Sequence, residues 1–255
     1  MRYIFFACSL LFFPFKHKNT PYTVGSTVIC ISATDIIYIA GDTKASGLYP
    51  GTTKIVPFGT ACKVFARGDM IYGIVGFPND KNLGINIPNI IDTIQFTSDS
   101  LEQRIAQIRK VICPYLLQIA KSIEKTNWAY FYTQLANTNM TDLVFGMFEG
   151  EKPVIGYIHT ICNHTINKGI FITDTSSITY DNSVQLVIGH REAIDSVLTV
   201  NQSYFRYFPS ISVGLNDIFK YQALKTPDMV NDTVDIVSIM PLVGTRWYQR
   251  YKDCK

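Results

Sequence analysis

The chain has 255 residues, 47% of them hydrophobic and 17% charged, enough for one full-sized domain with a substantial core. Its formal charge of +3 with no long basic run excludes a nucleic-acid-binding surface as the leading reading. Six cysteines at 8, 30, 62, 113, 162 and 254 form no CxxC pair, which excludes a zinc knuckle or a thioredoxin motif. Cys8 lies in the leader, an odd number remains, and buried free thiols are the expectation for them.

Residues 1–25 read as a leader. Arg2 precedes an apolar stretch from Tyr3 to Phe15 and then a polar segment ending at Gly25. That arrangement suits a secretory signal peptide and is too short to span a membrane as a helix. A propeptide removed by the protein itself is the alternative. A cut after Gly25 leaves Ser26 as the first residue either way. A free α-amine titrates at about 7.7–8.0, close to the ideal for a general base, so an N-terminal hydroxyl residue carries its own base.

Val28-Ile29-Cys30-Ile31-Ser32 and Ile36-Ile37-Tyr38-Ile39-Ala40 predict two strands joined by a turn at Thr34-Asp35. The hairpin puts Ser26 at one strand's start and Asp42 at the other's end, near each other. A turn-rich stretch from Gly47 to Thr53 follows. Lys63–Arg67 and Met70–Val75 then read as strands around the Arg67-Gly68-Asp69 turn, and Gly76-Phe77-Pro78-Asn79-Asp80 leads towards helical territory.

The strongest helix is expected between Ser98 and Lys125. Leu101, Ile105, Ile108, Ile112, Leu116, Ile119 and Ile123 recur at helical spacing, and Pro114 is a candidate kink. Leu143–Phe148 and Pro153–Ile158 predict another hairpin. Helical patterns follow over 190–200 and 210–224, and Val234–Met240 reads as a strand. Arg246–Lys255 reads as a solvated tail or a final edge strand. Clustered strands and clustered helices predict an α+β fold rather than an alternating parallel one. His159 and His164 flank Cys162 without an acidic partner at ligand spacing, so no metal site is expected there.

The order of these elements, with Gly25-Ser26-Thr27, Gly41-Asp42-Thr43-Lys44-Ala45-Ser46-Gly47, Cys62-Lys63-Val64-Phe65, Val75-Gly76-Phe77-Pro78-Asn79-Asp80 and Thr141-Asp142-Leu143-Val144-Phe145-Gly146, resembles proteasome β-type subunits and their bacterial relatives. These belong to the N-terminal-nucleophile hydrolases. The resemblance implies a four-layer αββα sandwich of two antiparallel sheets flanked by helices, with residues 1–25 removed and 26–255 as the domain. It implies a peptidase or amidohydrolase that needs no cofactor or metal, assembled as a homo-oligomeric ring, with a peptide or amide as substrate and no stable membrane span. It also implies roles. Ser26 is the nucleophile, Lys63 the positive charge beside it and Asp42 the group that fixes Lys63. The Gly76 N–H serves the oxyanion, Asp228 supports the amine, and Ala45 and Ser46 line the substrate site. Lys54 is the runner-up lysine.

The chain departs from the family in having Ser for the usual Thr, Gly189-His190-Arg191-Glu192 for a Gly-Ser-Gly-Ser, and Asn231 for a Ser after Asp228. These departures motivate an alternative, a noncatalytic structural or binding subunit of the same fold. An unrelated secreted α+β binding domain is a third reading. The leader, read as a signal, implies a secreted or periplasmic protein; read as a propeptide, a cytoplasmic one.

Overall fold

The computed structural model describes residues 22–24, 27–48, 55–201, 203–252 and 254. The leader up to residue 21, Ser26 and Lys54 lie outside them.

Fifteen strands and five helices are described. The first half contains β1 (Tyr22–Val24), β2 (Thr27–Ala33), β3 (Ile36–Asp42), β4 (Lys44–Leu48), β5 (Ile55–Thr60), β6 (Val64–Arg67), β7 (Met70–Gly76) and the two-residue strands β8 (Asn79–Asp80) and β9 (Ile85–Asn86). Helices α1 (Ile87–Thr93), α2 (Leu101–Thr126) and α3 (Trp128–Tyr130) follow. The long hairpin β10 (Thr138–Glu149) and β11 (Lys152–Thr165) comes next, then β12 (Gly169–Thr179) and β13 (Gln185–Gly189). The chain closes with α4 (Glu192–Val200), α5 (Ile211–Lys225), β14 (Val234–Met240) and β15 (Gly244–Gln249).

All strand pairings are antiparallel. One five-stranded sheet runs β12-β11-β10-β7-β6 and a second runs β13-β2-β3-β14-β15. Beside them, β1-β4-β5 form a small third sheet. The α+β class expected from the sequence is therefore found, and the basic C-terminal segment supplies an edge strand, β15.

Three apolar clusters hold these parts together. Val28, Cys30, Ile37 and Ile39 of the second sheet meet Val64, Ile71, Val75 and Val144 of the first. On the far side of the first sheet, Tyr72, Ile74, Leu143 and Phe145 pack with the apolar stripe of α2. On the far side of the second, Ile29, Ile31 and Ala40 pack with Leu215, Ile218 and Phe219 of α5. Strands β2 and β3 are covered on both faces, which is why they read as continuous apolar runs rather than alternating ones. The seven isoleucines and leucines of the α2 stripe are each at most 2% exposed, and burying each such side chain is worth about 1.5–3 kcal/mol. Pro114 sits on the exposed side of α2, where the carbonyl it leaves unbonded can meet water, and a single helix runs through it.

One expectation is corrected. Cys62 and Cys254 form a disulfide across 192 residues, so the mature cysteines are not all free thiols. Cys30, Cys113 and Cys162 are free. The spacing concealed this pairing because the two residues meet only after the C-terminal segment passes β15 and returns to the start of β6.

Candidate active site

Asp42 ends β3 and has no solvent exposure. An isolated carboxylate there would be prohibitive, so each oxygen must be engaged. Its Oδ1 accepts from the Thr27 backbone N–H at 2.9 Å. Its Oδ2 accepts from the Lys63 ammonium at 2.7 Å and from the Lys44 N–H at 3.0 Å. Lys63 in turn donates to the Lys44 carbonyl at 2.8 Å, with its side chain 2% exposed. Burial pulls the Lys63 pKa below its usual value, while the charges of Asp42 and Asp235 pull it back up.

Local backbone chemistry makes this convergence possible. Gly41 faces Lys63: a Cβ there would lie 3.4 Å from Lys63 Cβ and 2.9 Å from a Val64 methyl. A glycine lets β6 approach this closely. The Thr27 hydroxyl donates to the His190 carbonyl at 2.6 Å, tying the start of β2 to the short link between β13 and α4. Thr27 is the covalent neighbour of Ser26, so the Asp42–Lys63 cluster is anchored one residue from the expected nucleophile.

Gly76 closes β7 with φ +95°, a backbone conformation that favours glycine, and a Cβ there would sit 2.1 Å from the Met140 carbonyl oxygen. It lies two residues beyond Ile74, whose N–H donates to the Lys63 carbonyl at 2.9 Å. β1, just upstream of Ser26, lies beside β7 and β8. Ala45 and Ser46 are buried on β4, and β1 pairs with that strand, Val24 opposite Ser46.

Asp228 is placed differently. Its side chain is exposed and makes no hydrogen bond among the described residues, while its carbonyl accepts from the Ser46 hydroxyl at 3.4 Å. Asn231 is engaged with Thr43, accepting from its N–H at 3.2 Å and donating to its hydroxyl at 3.3 Å. Ser26 and Lys54 fall outside the described residues.

Two acids escaped the sequence reading. Asp235 on β14 is fully buried and directly opposite Gly41, which puts it on the Lys63 side of the sheet. Asp142 Oδ1 accepts from His159 Nδ1 at 2.7 Å and from the Tyr157 hydroxyl at 2.8 Å, and the Asp142 side chain is 5% exposed. His159 thus has an acidic partner across the strands, one that no ligand spacing along the sequence marks. Asp142 and His159 are equidistant from the β10–β11 turn, one residue beyond the predicted strands Leu143–Phe148 and Pro153–Ile158, so extending that hairpin by one register step reaches the pair. Asp142 also pairs with Val75, the residue before Gly76. Among the described residues no cluster of three or more His, Cys, Asp or Glu could hold a metal ion.

The arrangement can hold a buried ammonium next to the start of β2 and fix it in one orientation. No protein-family model matches the chain, and no curated protein is significantly similar to it. No helix among the described residues is long and apolar enough to cross a membrane.

Proposed function

We propose that the chain is an N-terminal-nucleophile amidohydrolase of the proteasome β type, acting on peptide or other amide bonds through Ser26. One observation carries the reading. A fully buried carboxylate, Asp42, binds both the amide of the residue after Ser26 and the ammonium of Lys63. A buried ion pair is weak evidence of stabilisation, because apolar residues of the same volume often do as well. At residue 27 it acquires a chemical use.

In this reading the three apolar clusters separate the four layers of an αββα sandwich. Ser26 Oγ attacks the substrate carbonyl carbon and its proton passes to the α-amine of Ser26. Lys63 lowers the energy of the developing alkoxide and disfavours protonation of the amine. The Gly76 N–H stabilises the oxyanion. The amine returns the proton to the leaving nitrogen as the C–N bond breaks, leaving an ester on Ser26 Oγ, which water hydrolyses. The pairing of β1 with β4 supports β4 as the edge on which an extended peptide would lie once the leader is gone. The Cys62–Cys254 disulfide favours an oxidising compartment, and hence the secretory reading of the leader.

A noncatalytic subunit of the same fold is the second reading, favoured by the exposed Asp228 side chain, which makes no hydrogen bond among the described residues, and by the engagement of Asn231 with Thr43. Intact mass and a fluorogenic peptide-amide panel decide between them. The catalytic reading expects a mature chain starting at Ser26, with turnover lost in Ser26→Ala and Lys63→Ala. A mature chain retaining residues before Ser26, or turnover that survives Ser26→Ala, overturns it. Retention of the leader in Ser26→Ala would identify the cut as self-made.

A further inference from the structure

Lys63 is held from a second side. Cys62, its immediate neighbour, is bonded to Cys254, which brings the C-terminal segment against the start of β6. From that segment the Tyr251 N–H donates to Asp235 Oδ1. The Cys254 N–H donates to the Tyr251 carbonyl at 2.9 Å, closing the turn that presents Tyr251. Asp235 Oδ2 is buried and has no partner among the described residues. An unsatisfied carboxylate oxygen at 0% exposure is costly and calls for an explanation.

We propose that Asp235 is a positioning residue for Lys63, and that the Cys62–Cys254 disulfide is a latch that keeps the Tyr251 amide on Asp235. Among the described residues, charged groups from three strands surround the pair. Asp42 at the end of β3 touches Lys63; Lys44 of β4 opposes its charge, and Asp235 of β14 supports it. Around Asp235, burial raises the carboxyl pKa, while the Tyr251 amide, Arg250 and Lys63 all favour the ionised form. Without these neighbours, burial would push the Asp235 carboxyl pKa up further, towards the neutral form. Its charge draws the Lys63 ammonium towards β14, against the pull of Asp42, and sets how readily Lys63 gives up its proton. Reduction of the latch by a dithiol converts the disulfide to two thiols and the reductant to its cyclic disulfide. Tyr251 and Arg250 are then released from Asp235, the carboxyl takes up a proton in its buried site, and Lys63 loses one of its acidic neighbours.

The inference rests on the proposed role of Lys63 for its effect on turnover, but its test does not. Lysine labelled with 13C at Cε, followed by NMR against pH in the mature chain, reads Lys63 directly. In Asp235→Asn, Lys63 should deprotonate about one pH unit lower than in the parent, the low end of what a nearby opposite charge does to a pKa, because the charge of Asp235 helps hold the Lys63 pKa up against burial. Treatment of the parent with dithiothreitol should move Lys63 in the same direction, and should leave it unmoved in Asp235→Asn. Asp235→Glu should restore the parent behaviour. An unchanged Lys63 titration in Asp235→Asn overturns the positioning role. Equal shifts on reduction in the parent and in Asp235→Asn overturn the latch, because the C-terminal segment would then act on Lys63 without Asp235. If Asp235→Asn fails to fold, Cys254→Ser without reductant replaces it, and a Lys63 titration identical to the parent's again overturns the proposal. Where turnover is present, its alkaline limb should fall with Lys63 in each case, with kcat affected and KM unchanged. Absence of turnover in every form would remove the proposed function while leaving the NMR result standing.

Discussion

Two aspartate–cation pairs of almost equal length sit in opposite settings. Lys63 meets Asp42 at 2.7 Å with side chains 2% and 0% exposed, while Arg104 meets Asp69 at 2.6 Å with side chains 7% and 59% exposed. The Arg104 guanidinium grips both Asp69 oxygens, donates to the Ser98 carbonyl and lies 5.2 Å from the Phe96 ring centre. Asp69 keeps more than half of its exposure, so it can survive without Arg104, while the buried guanidinium has the Ser98 carbonyl, Asp99 and the Phe96 ring as further partners. At Asp42 every oxygen is committed and water is excluded. The difference teaches that distance alone says little about an ion pair. The Arg104 pair ties the β6–β7 turn to the start of α2, whereas the Lys63 pair ties β6 to the end of β3 and, through the Thr27 N–H, to the start of β2.

The sharpest way to break the comparison is to remove one cation at a time. Lys63→Met should cost about 3–5 kcal/mol in urea unfolding, because it strands a buried carboxylate. Adding Asp42→Asn to Lys63→Met should recover much of that loss, since replacing both members of a buried pair approaches neutrality. A double variant as unstable as the single one would mean that Asp42 matters through Thr27 and Lys44 rather than through Lys63.

Next comes the staple beside Lys63. Cys62→Ser should cost about 2–4 kcal/mol, measured under non-reducing conditions. Arg104→Ala should cost about 1 kcal/mol, the upper range for a pair with one exposed partner. Asp69→Asn should have the smallest effect, about 0.2–1 kcal/mol near neutral pH.

The Asp69 effect also has a pH signature. The Arg104 hydrogen bonds hold the Asp69 carboxyl below the usual carboxylate range. Its stabilisation is thus fully present above the unfolded value of about 3.9 and is lost as pH falls through the lower folded value. Stability curves of parent and Asp69→Asn should converge in strong acid. Lys63 has the opposite behaviour: burial lowers its pKa, so the cost of its charge is relieved as pH rises towards the unfolded value of about 10.4. Lys63→Met should remove that alkaline rise.

The β2–β3 hairpin, the α2 stripe, the β10–β11 hairpin, α5 and β14 were legible because each expresses its pattern within a dozen or so neighbouring residues. Several elements were not. β12 carries Thr173-Asp174-Thr175-Ser176-Ser177 in its middle, a polar run that reads as loop until it pairs along the edge with β11. β4 and β5 flank a turn-rich stretch and acquire strand character in the small sheet that β4 forms with β1. The Asp142–His159 pair was implicit in a hairpin already recognised, but it required counting the register outward from the turn.

By itself, then, the sequence determined the α+β class, the apolar faces and most of the elements, because side-chain periodicity is a local property. Tertiary structure alone decided which distant groups share a site. Cys62 finds Cys254, Asp235 comes to Lys63 across Gly41, and Tyr251 reaches Asp235 only when β14 and β15 are laid beside β3. The physical reason is that burying charge depends on what surrounds it in three dimensions, and no local pattern records which oxygen a folded chain will shield from water.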